Sequence, residues 1–203
     1  MVAIVDYGVG NLFSLSSSFQ SIGVETVVTS DAAVLHAADR IVLPGVGAFG
    51  DAAQKLRSSG LADVVVAEAK AGKPLLGICL GMQLLFDKSL EYGEHEGLGL
   101  IRGEIRPIAE VIPEDLKIPH IGWNALHFGS KKHPLFRYLT EGDFVYFVHS
   151  FYGANCTESV IATAEYGAEL TAAVARGNVL GCQFHPEKSG TVGLAILKAF
   201  TQL

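Results

Sequence analysis

A cysteine set between glycines, and a histidine followed two residues later by a carboxylate, are the side chains in this sequence best suited to covalent chemistry. Gly77-Ile78-Cys79-Leu80-Gly81 ends the apolar run that begins at Pro74, and His185-Pro186-Glu187 follows a second apolar run, Val179 to Phe184. A G-x-C-x-G element between a strand and a helix predicts a turn so tight that the nucleophile's own Cβ is the one tolerated there. A helix amino terminus behind the sulfur and an imidazole beside it both favour the thiolate, which is the attacking form. Glu187 is placed to accept the second N–H of His185, setting its tautomer and stabilising its cation. The expected catalytic set is therefore Cys79 as nucleophile, His185 as base and Glu187 as orienter.

The other two cysteines do not compete. Cys182 sits inside the apolar run and reads as a core residue, while Cys156 falls in a polar loop beside Asn155 and Thr157 with no evident partner. No pair of cysteines has metal-ligand spacing, so neither a metal nor a cofactor is expected, and an odd number of cysteines suits a reducing compartment. Gly45-Val46-Gly47-Ala48-Phe49-Gly50 matches the dinucleotide fingerprint G-x-G-x-x-G literally. It follows the third strand rather than the first, which disfavours that reading. An oxyanion loop fits better: its glycines let backbone N–H groups approach a developing negative charge, and Leu80 N–H, just after the nucleophile, is the second donor.

These groups need a scaffold that brings residues about a hundred positions apart to one edge. Val2-Ala3-Ile4-Val5, Val24 to Thr29, Arg40 to Leu43 and Pro74 to Ile78 read as strands. The intervening helices are Asn11 to Ile22 closed by Gly23, Asp31 to Ala38, and Asp51 to Lys70 with a break near Gly60; Gly81 to Phe86 follows the elbow. Continuous Val/Ile/Leu strands alternating with helices predict a three-layer α/β fold with a central, mostly parallel, flavodoxin-like sheet and ligands at the strands' carboxyl ends. From Leu98 to Cys182 shorter strands take over, with a hairpin at Arg176-Gly177-Asn178, predicting a short antiparallel extension. Thr191 to Gln202 is a closing helix, and no linker divides residues 1–203, so one domain is expected.

Composition narrows the partners. With 49% hydrophobic and 18% charged residues the chain has the makings of a large core, and a formal charge of -6 with no basic run beyond Lys131-Lys132 argues against nucleic acid. Asp6 interrupts the first apolar stretch, and no stretch is long enough to span a bilayer, so a cytoplasmic protein with a small-molecule substrate is expected.

Taken together, these motifs resemble the class I (triad) glutamine amidotransferases. The resemblance rests on the run Gly77 to Leu85 and on His185-Pro186-Glu187-Lys188-Ser189. Asp6 to Asn11, Leu43 to Phe49, Pro119-His120-Ile121-Gly122-Trp123-Asn124 and Tyr146 to Tyr152 are similar, more narrowly, to the family of glutaminase subunits of imidazole glycerol phosphate synthases. The resemblance implies a partner-activated glutaminase that forms a glutamyl thioester on Cys79 and passes ammonia to a cyclase subunit in histidine biosynthesis. It also implies an oxyanion hole from Val46, Gly47 and Leu80, glutamine contacts at Gly45, Gln83, His149, Ser150 and Phe151, and a cyclase interface with Asn11, Trp123, Tyr146 and Lys188. Two alternatives remain at this level: another cysteine hydrolase on the same elbow, and a non-catalytic subunit that keeps the fold.

Overall fold

The structure is a computed structural model that describes residues 1–129 and 131–203. Its first half alternates strand and helix: β1 (Val2–Val5), α1 (Leu12–Ser21), β2 (Thr26–Thr29), α2 (Ala32–Ala37), β3 (Arg40–Leu43), α3 (Phe49–Ser58), α4 (Leu61–Lys70), β4 (Leu75–Ile78) and α5 (Leu80–Leu84). Strands dominate thereafter: β5 (Phe86–Ser89), β6 (His95–Glu96), β7 (Ile101–Pro107), β8 (His120–Ala125), β9 (His127–Phe128), β10 (Phe144–His149), β11 (Phe151–Ala154), β12 (Val160–Glu165), β13 (Glu169–Arg176) and β14 (Val179–Cys182), before α6 (Gly190–Phe200). The main sheet has the order β2-β1-β3-β4-β14-β13-β12-β9, parallel from β2 through β14 and antiparallel beyond.

The pleat explains why both faces are covered. Along β1, Val2 and Ile4 face a cluster built with Leu15 and Phe19 of α1 and Ile196 and Phe200 of α6, whereas Ala3 and Val5 face Leu35, Leu56, Leu61 and Val65 of α2, α3 and α4. These are the three layers expected from the sequence. At about 25 cal/mol per Å² of apolar surface removed from water, burying an aromatic such as Phe19 or Phe200, both fully enclosed, contributes roughly 2 to 3 kcal/mol before its entropy cost.

Local chemistry sets the boundaries. Asn11 and Asp31 cap α1 and α2 by accepting from Ser14 N and Ala33 N. Gly23 N donates to Gln20 O and Val24 N to Phe19 O, a Schellman closure that consumes Val24, so β2 begins at Thr26 and not at Val24 as its β-branched side chain led us to expect. The helix after the elbow also stops early, at Leu84 and not at Phe86. The carbonyls of Leu84 and Leu85 are taken by the amides of Leu98, Leu100 and Ile101, and Phe86 instead opens β5 beside Ile101.

The antiparallel extension is larger than its sequence signal. Besides the three antiparallel strands of the main sheet, β10 pairs antiparallel with β8, and β11-β7-β5-β6 form a further four-stranded sheet that is mixed, β5 and β7 running parallel. Cys156, expected in a solvated loop, is buried with its sulfur 3.8 Å from Thr171 Oγ1. The 176–178 hairpin is present, with Arg176 opposite Val179. No helix among the described residues is long and apolar enough to cross a membrane.

Candidate active site

The adjacency of β4 and β14 brings the two catalytic motifs together. These strands run parallel with Ile78 opposite Cys182, so the residues leaving their carboxyl ends emerge side by side. Cys79 N donates to Cys182 O at 2.8 Å, carrying the pairing one residue past the end of β4. At Cys79 the backbone turns to φ +55, ψ -114, a conformation that a non-glycine residue adopts at a cost of order 1 to 3 kcal/mol. The flanking glycines make that turn fit: a Cβ at Gly81 would sit 1.9 Å from Leu43 O, and one at Gly77 2.6 Å from Gly81 O. The elbow is thus wedged between its own helix and the end of β3.

His185 is fastened from behind. Its N–H donates to Tyr146 O at 3.0 Å, and Ser189 Oγ donates to His185 O at 2.6 Å while accepting from Tyr146 N at 3.0 Å. Its Nδ1 meets Glu187 Oε1 at 2.8 Å, both side chains being almost wholly enclosed. Burial pulls the imidazole pKa down, but hydrogen bonds and charge interactions with Cys79 and Glu187 outweigh it and push the pKa up to about 9. Both partners thus favour the protonated ring, the form that can give up a proton.

A cleft of about 310 Å³ opens over the nucleophile, lined by Val46, Gly47, Cys79, Leu80, Gln83, Glu91, Pro119, Val148, His149, Ser150, Phe151 and His185 among others. A larger cavity of about 860 Å³ between α3 and residues 91–96 contains none of the three catalytic residues. Leu80 is the first residue of α5, so its N–H has no intrahelical acceptor and points from a helix amino terminus. Val46 and Gly47 lie on the exposed loop between β3 and α3, Gly47 at φ +93. A cleft over a cysteine at a helix amino terminus, with a buried imidazole–carboxylate pair beside it, is the set of parts that acyl transfer uses.

Comparison with known proteins agrees with that chemistry. The family model of glutamine amidotransferase class-I matches residues 3–202. This chain is a class-I glutamine amidotransferase. Within the class it belongs to the family of imidazole glycerol phosphate synthase subunit HisH: it is 49% identical over 205 residues to the HisH subunit of Sulfurimonas denitrificans, covering 100% of this chain and 98% of that one. It is equally 49% identical to that of Wolinella succinogenes, covering 100% of both. A solved structure of PurLQS from Thermotoga maritima superposes with a TM-score of 0.76 at 21% identity, covering 99% of this chain and 97% of that one, which speaks for the fold.

The remaining expected residues of this amidotransferase separate into groups. Gln83, Ser150 and Phe151 line the cleft, as does His149, but both ring nitrogens of His149 are engaged within the protein: Nδ1 with Phe151 O at 2.8 Å and Nε2 with His120 Nδ1 at 3.0 Å. Burial, with the nearby His120 and His185, drives the His149 pKa down to about 4 despite the bond to Phe151, so this ring is neutral and holds the 149–151 backbone. Gly45 is not part of the lining; a Cβ there would lie 2.7 Å from Gly81 N, so it seats the loop against α5. Trp123 and Tyr146 are opposite each other across β8 and β10, with ring centroids 6.0 Å apart and Lys188 Nζ 5.8 Å from the Tyr146 ring. Trp123 is 51% exposed, which disposes of a core role for it. Asn11 serves the chain itself as the α1 cap.

Glu91 is a cleft residue that the sequence does not single out. It lies in a stretch, Leu90 to Gly93, that reads as an ordinary polar turn, yet it is 8% exposed and its carboxylate accepts from Phe49 N at 2.6 Å. Burial raises its pKa, against the Phe49 hydrogen bond. Gln183 does not line the cleft, but it too goes unmarked in the sequence: it is fully buried, with its side-chain nitrogen 3.7 Å from Cys79 Sγ.

Proposed function

We propose that the chain is a glutaminase acting through a Cys79 thioester, the working half of an assembly with a cyclase subunit, and that residues 1–203 act as one cytoplasmic unit. The observation that carries this reading is the convergence of Cys79, the His185–Glu187 pair and the Leu80 amide at one small cleft on adjacent parallel strands. Cys79 Sγ attacks the side-chain amide carbon of glutamine, and the negative charge on oxygen is received by the Leu80 N–H and by Val46 and Gly47 N–H groups. The C–N bond then breaks as His185 delivers its proton to the departing ammonia. Water, deprotonated by the now neutral His185, attacks the thioester carbon and releases glutamate and the thiolate.

Glutamine selection follows from the lining. Both Gln83 N–H groups are spent on Phe151 O and Gln183 Oε1, so its Oε1 is the group left for the cleft. That acceptor and the Glu91 carboxylate suit an α-ammonium, while the backbone of Ser150 and Phe151 borders the same space. The Trp123–Tyr146–Lys188 cluster is the proposed cyclase-facing surface, directly attached to His185 through Tyr146.

The test is glutamate release from glutamine by this chain alone and with a cyclase carrying its nucleotide ligand. Activity rising steeply in the loaded assembly, and falling by about 10³-fold or more in Cys79→Ala, is the expected result. Equal rates with and without the cyclase would discard the coupling, and unchanged activity in Cys79→Ala would discard the thioester.

A further inference from the structure

We infer that Gln183 is a positioning residue for the nucleophile: its side-chain amide donates to Cys79 Sγ and is held in that orientation by Gln83. The inference deepens the proposed thioester chemistry and rests on that reading.

Gln183 leaves the end of β14 with its main-chain N–H bonded to Ala172 O at 2.8 Å and its side chain fully enclosed. An amide in such a place costs several kcal/mol unless its groups find partners, and a leucine or methionine would fill the same volume without that cost. Its partners here are Gln83, whose Nε2 lies 2.9 Å from Gln183 Oε1, and the Cys79 sulfur, 3.7 Å from Gln183 Nε2.

Which end of each amide faces which neighbour is decided by a group that has no choice. Phe151 O can only accept; it receives His149 Nδ1–H at 2.8 Å and faces the Gln83 side chain at 3.4 Å. The Gln83 atom there must be Nε2, since an oxygen would meet an oxygen. Nε2 also touches Gln183, which must then present Oε1 to it, leaving the Gln183 N–H for the sulfur. Reversing either amide sets like groups against each other, so the network has one consistent orientation.

The sulfur meets a different partner in each protonation state. Val148 O lies 4.0 Å from Sγ and can accept from a thiol but offers nothing to a thiolate. Gln183 N–H does the reverse: it favours the charged form by donating to it and fixes the direction from which Sγ approaches substrate. His185 supplies charge; Gln183 supplies aim.

The experiment measures Cys79 alkylation by iodoacetamide against pH, which needs neither glutamine nor a cyclase, together with kcat and KM for glutamate release in the cyclase assembly. Gln183→Met keeps length and bulk and deletes the donor. The expected result is alkylation at pH 7 slowed about tenfold, with the profile moved to higher pH, and a fall in kcat with KM within about twofold. An unmoved profile in a Gln183→Met chain that unfolds as the parent does overturns the inference. Should that variant not fold, the ¹⁵N-resolved side-chain amide of Gln183 in the parent chain decides. Its shift follows the alkylation midpoint if it donates to the sulfur, and an amide signal indifferent to that midpoint overturns the inference. If the parent chain alkylates as expected yet releases no glutamate in any assembly, the glutaminase reading fails while the role of Gln183 stands or falls on its own data.

Discussion

The elbow at Cys79 and the loop from Gly45 to Gly47 leave neighbouring strands, β4 and β3, and the proposed mechanism draws on both for one tetrahedral intermediate, yet they are held in opposite ways. The elbow is locked by contact: Gly77 and Gly81 each have backbone within van der Waals range of where a side chain would begin, and Cys79 N is bonded across to β14. The loop is held at its flanks, with Gly45 packed against α5, and is open at its middle. Tyr7 Oη donates to Pro44 O at 2.7 Å before it and Phe49 N donates to Glu91 at 2.6 Å after it, while around Gly47 there is nothing within 4 Å of a built Cβ and Val46 is 44% exposed. A rigid nucleophile beside an adjustable oxyanion donor is an arrangement in which a partner can regulate the reaction without touching the attacking atom.

Gly81→Ala is the sharpest way to break the rigid half. The added Cβ would lie 1.9 Å from Leu43 O, an atom of a buried strand that has nowhere to go. We expect a loss of about 3 kcal/mol or more in stability, seen as a fall in thermal midpoint, with Cys79 alkylation slowed in whatever folds. A chain that tolerates this alanine with an unchanged midpoint would mean that the elbow is not wedged against β3.

The charge on His185 gives the next effect. Its folded pKa of about 9 lies above the ordinary 6.5, so folding takes up a proton, and the stabilisation is complete below about pH 6.5 and is lost as pH rises through 9. For a group this enclosed the whole loss is on the order of 3 kcal/mol, read as a decline in thermal midpoint as pH rises from 7 to 10; Cys79→Ala, which keeps the Glu187 share, should show a smaller decline. Parallel declines in the two proteins would show that the sulfur does not hold the imidazolium.

Much of the rigid half can be read from residues alone, because glycines at 77 and 81 and a carboxylate two residues past His185 are local patterns that core packing by itself does not call for. The three-layer fold is legible because its signal is equally local: β1, β4 and β3 after Arg40 are unbroken apolar runs. What escapes is whatever depends on contact between distant, polar segments. β5, Phe-Asp-Lys-Ser, buries only its first and last residues, so it carries no alternating signal and its Phe86 reads as the end of the preceding helix. Glu91 becomes a cleft residue only because the turn after β5 folds back over the start of α3, and Gln183 matters only because Gln83, a hundred positions earlier, meets it under the nucleophile. Gly45 shows the converse: it lies outside the cleft lining, and its lack of a side chain is what lets α5 approach.

Gly47→Ala probes the adjustable half and has the smallest effect on the free chain. Space is available, so the penalty is confined to holding an alanine at φ +93, about 1 to 2 kcal/mol, and no packing is lost. If the loop keeps one conformation throughout, that modest destabilisation is all the variant shows, and glutamate release falls equally with and without the loaded cyclase. If the Gly47 amide must turn toward the oxyanion when the partner engages, the alanine resists a second left-handed or mirror-region geometry, and the stimulated rate falls further than the basal one. The ratio of those two rates, parent against Gly47→Ala, therefore measures whether the difference between elbow and loop is one of packing alone or is the means by which the partner controls the chemistry. We expect the ratio to fall, because a loop held at Pro44, Gly45 and Phe49, with open space around Gly47, can change amide orientation at Gly47 without disturbing its anchors.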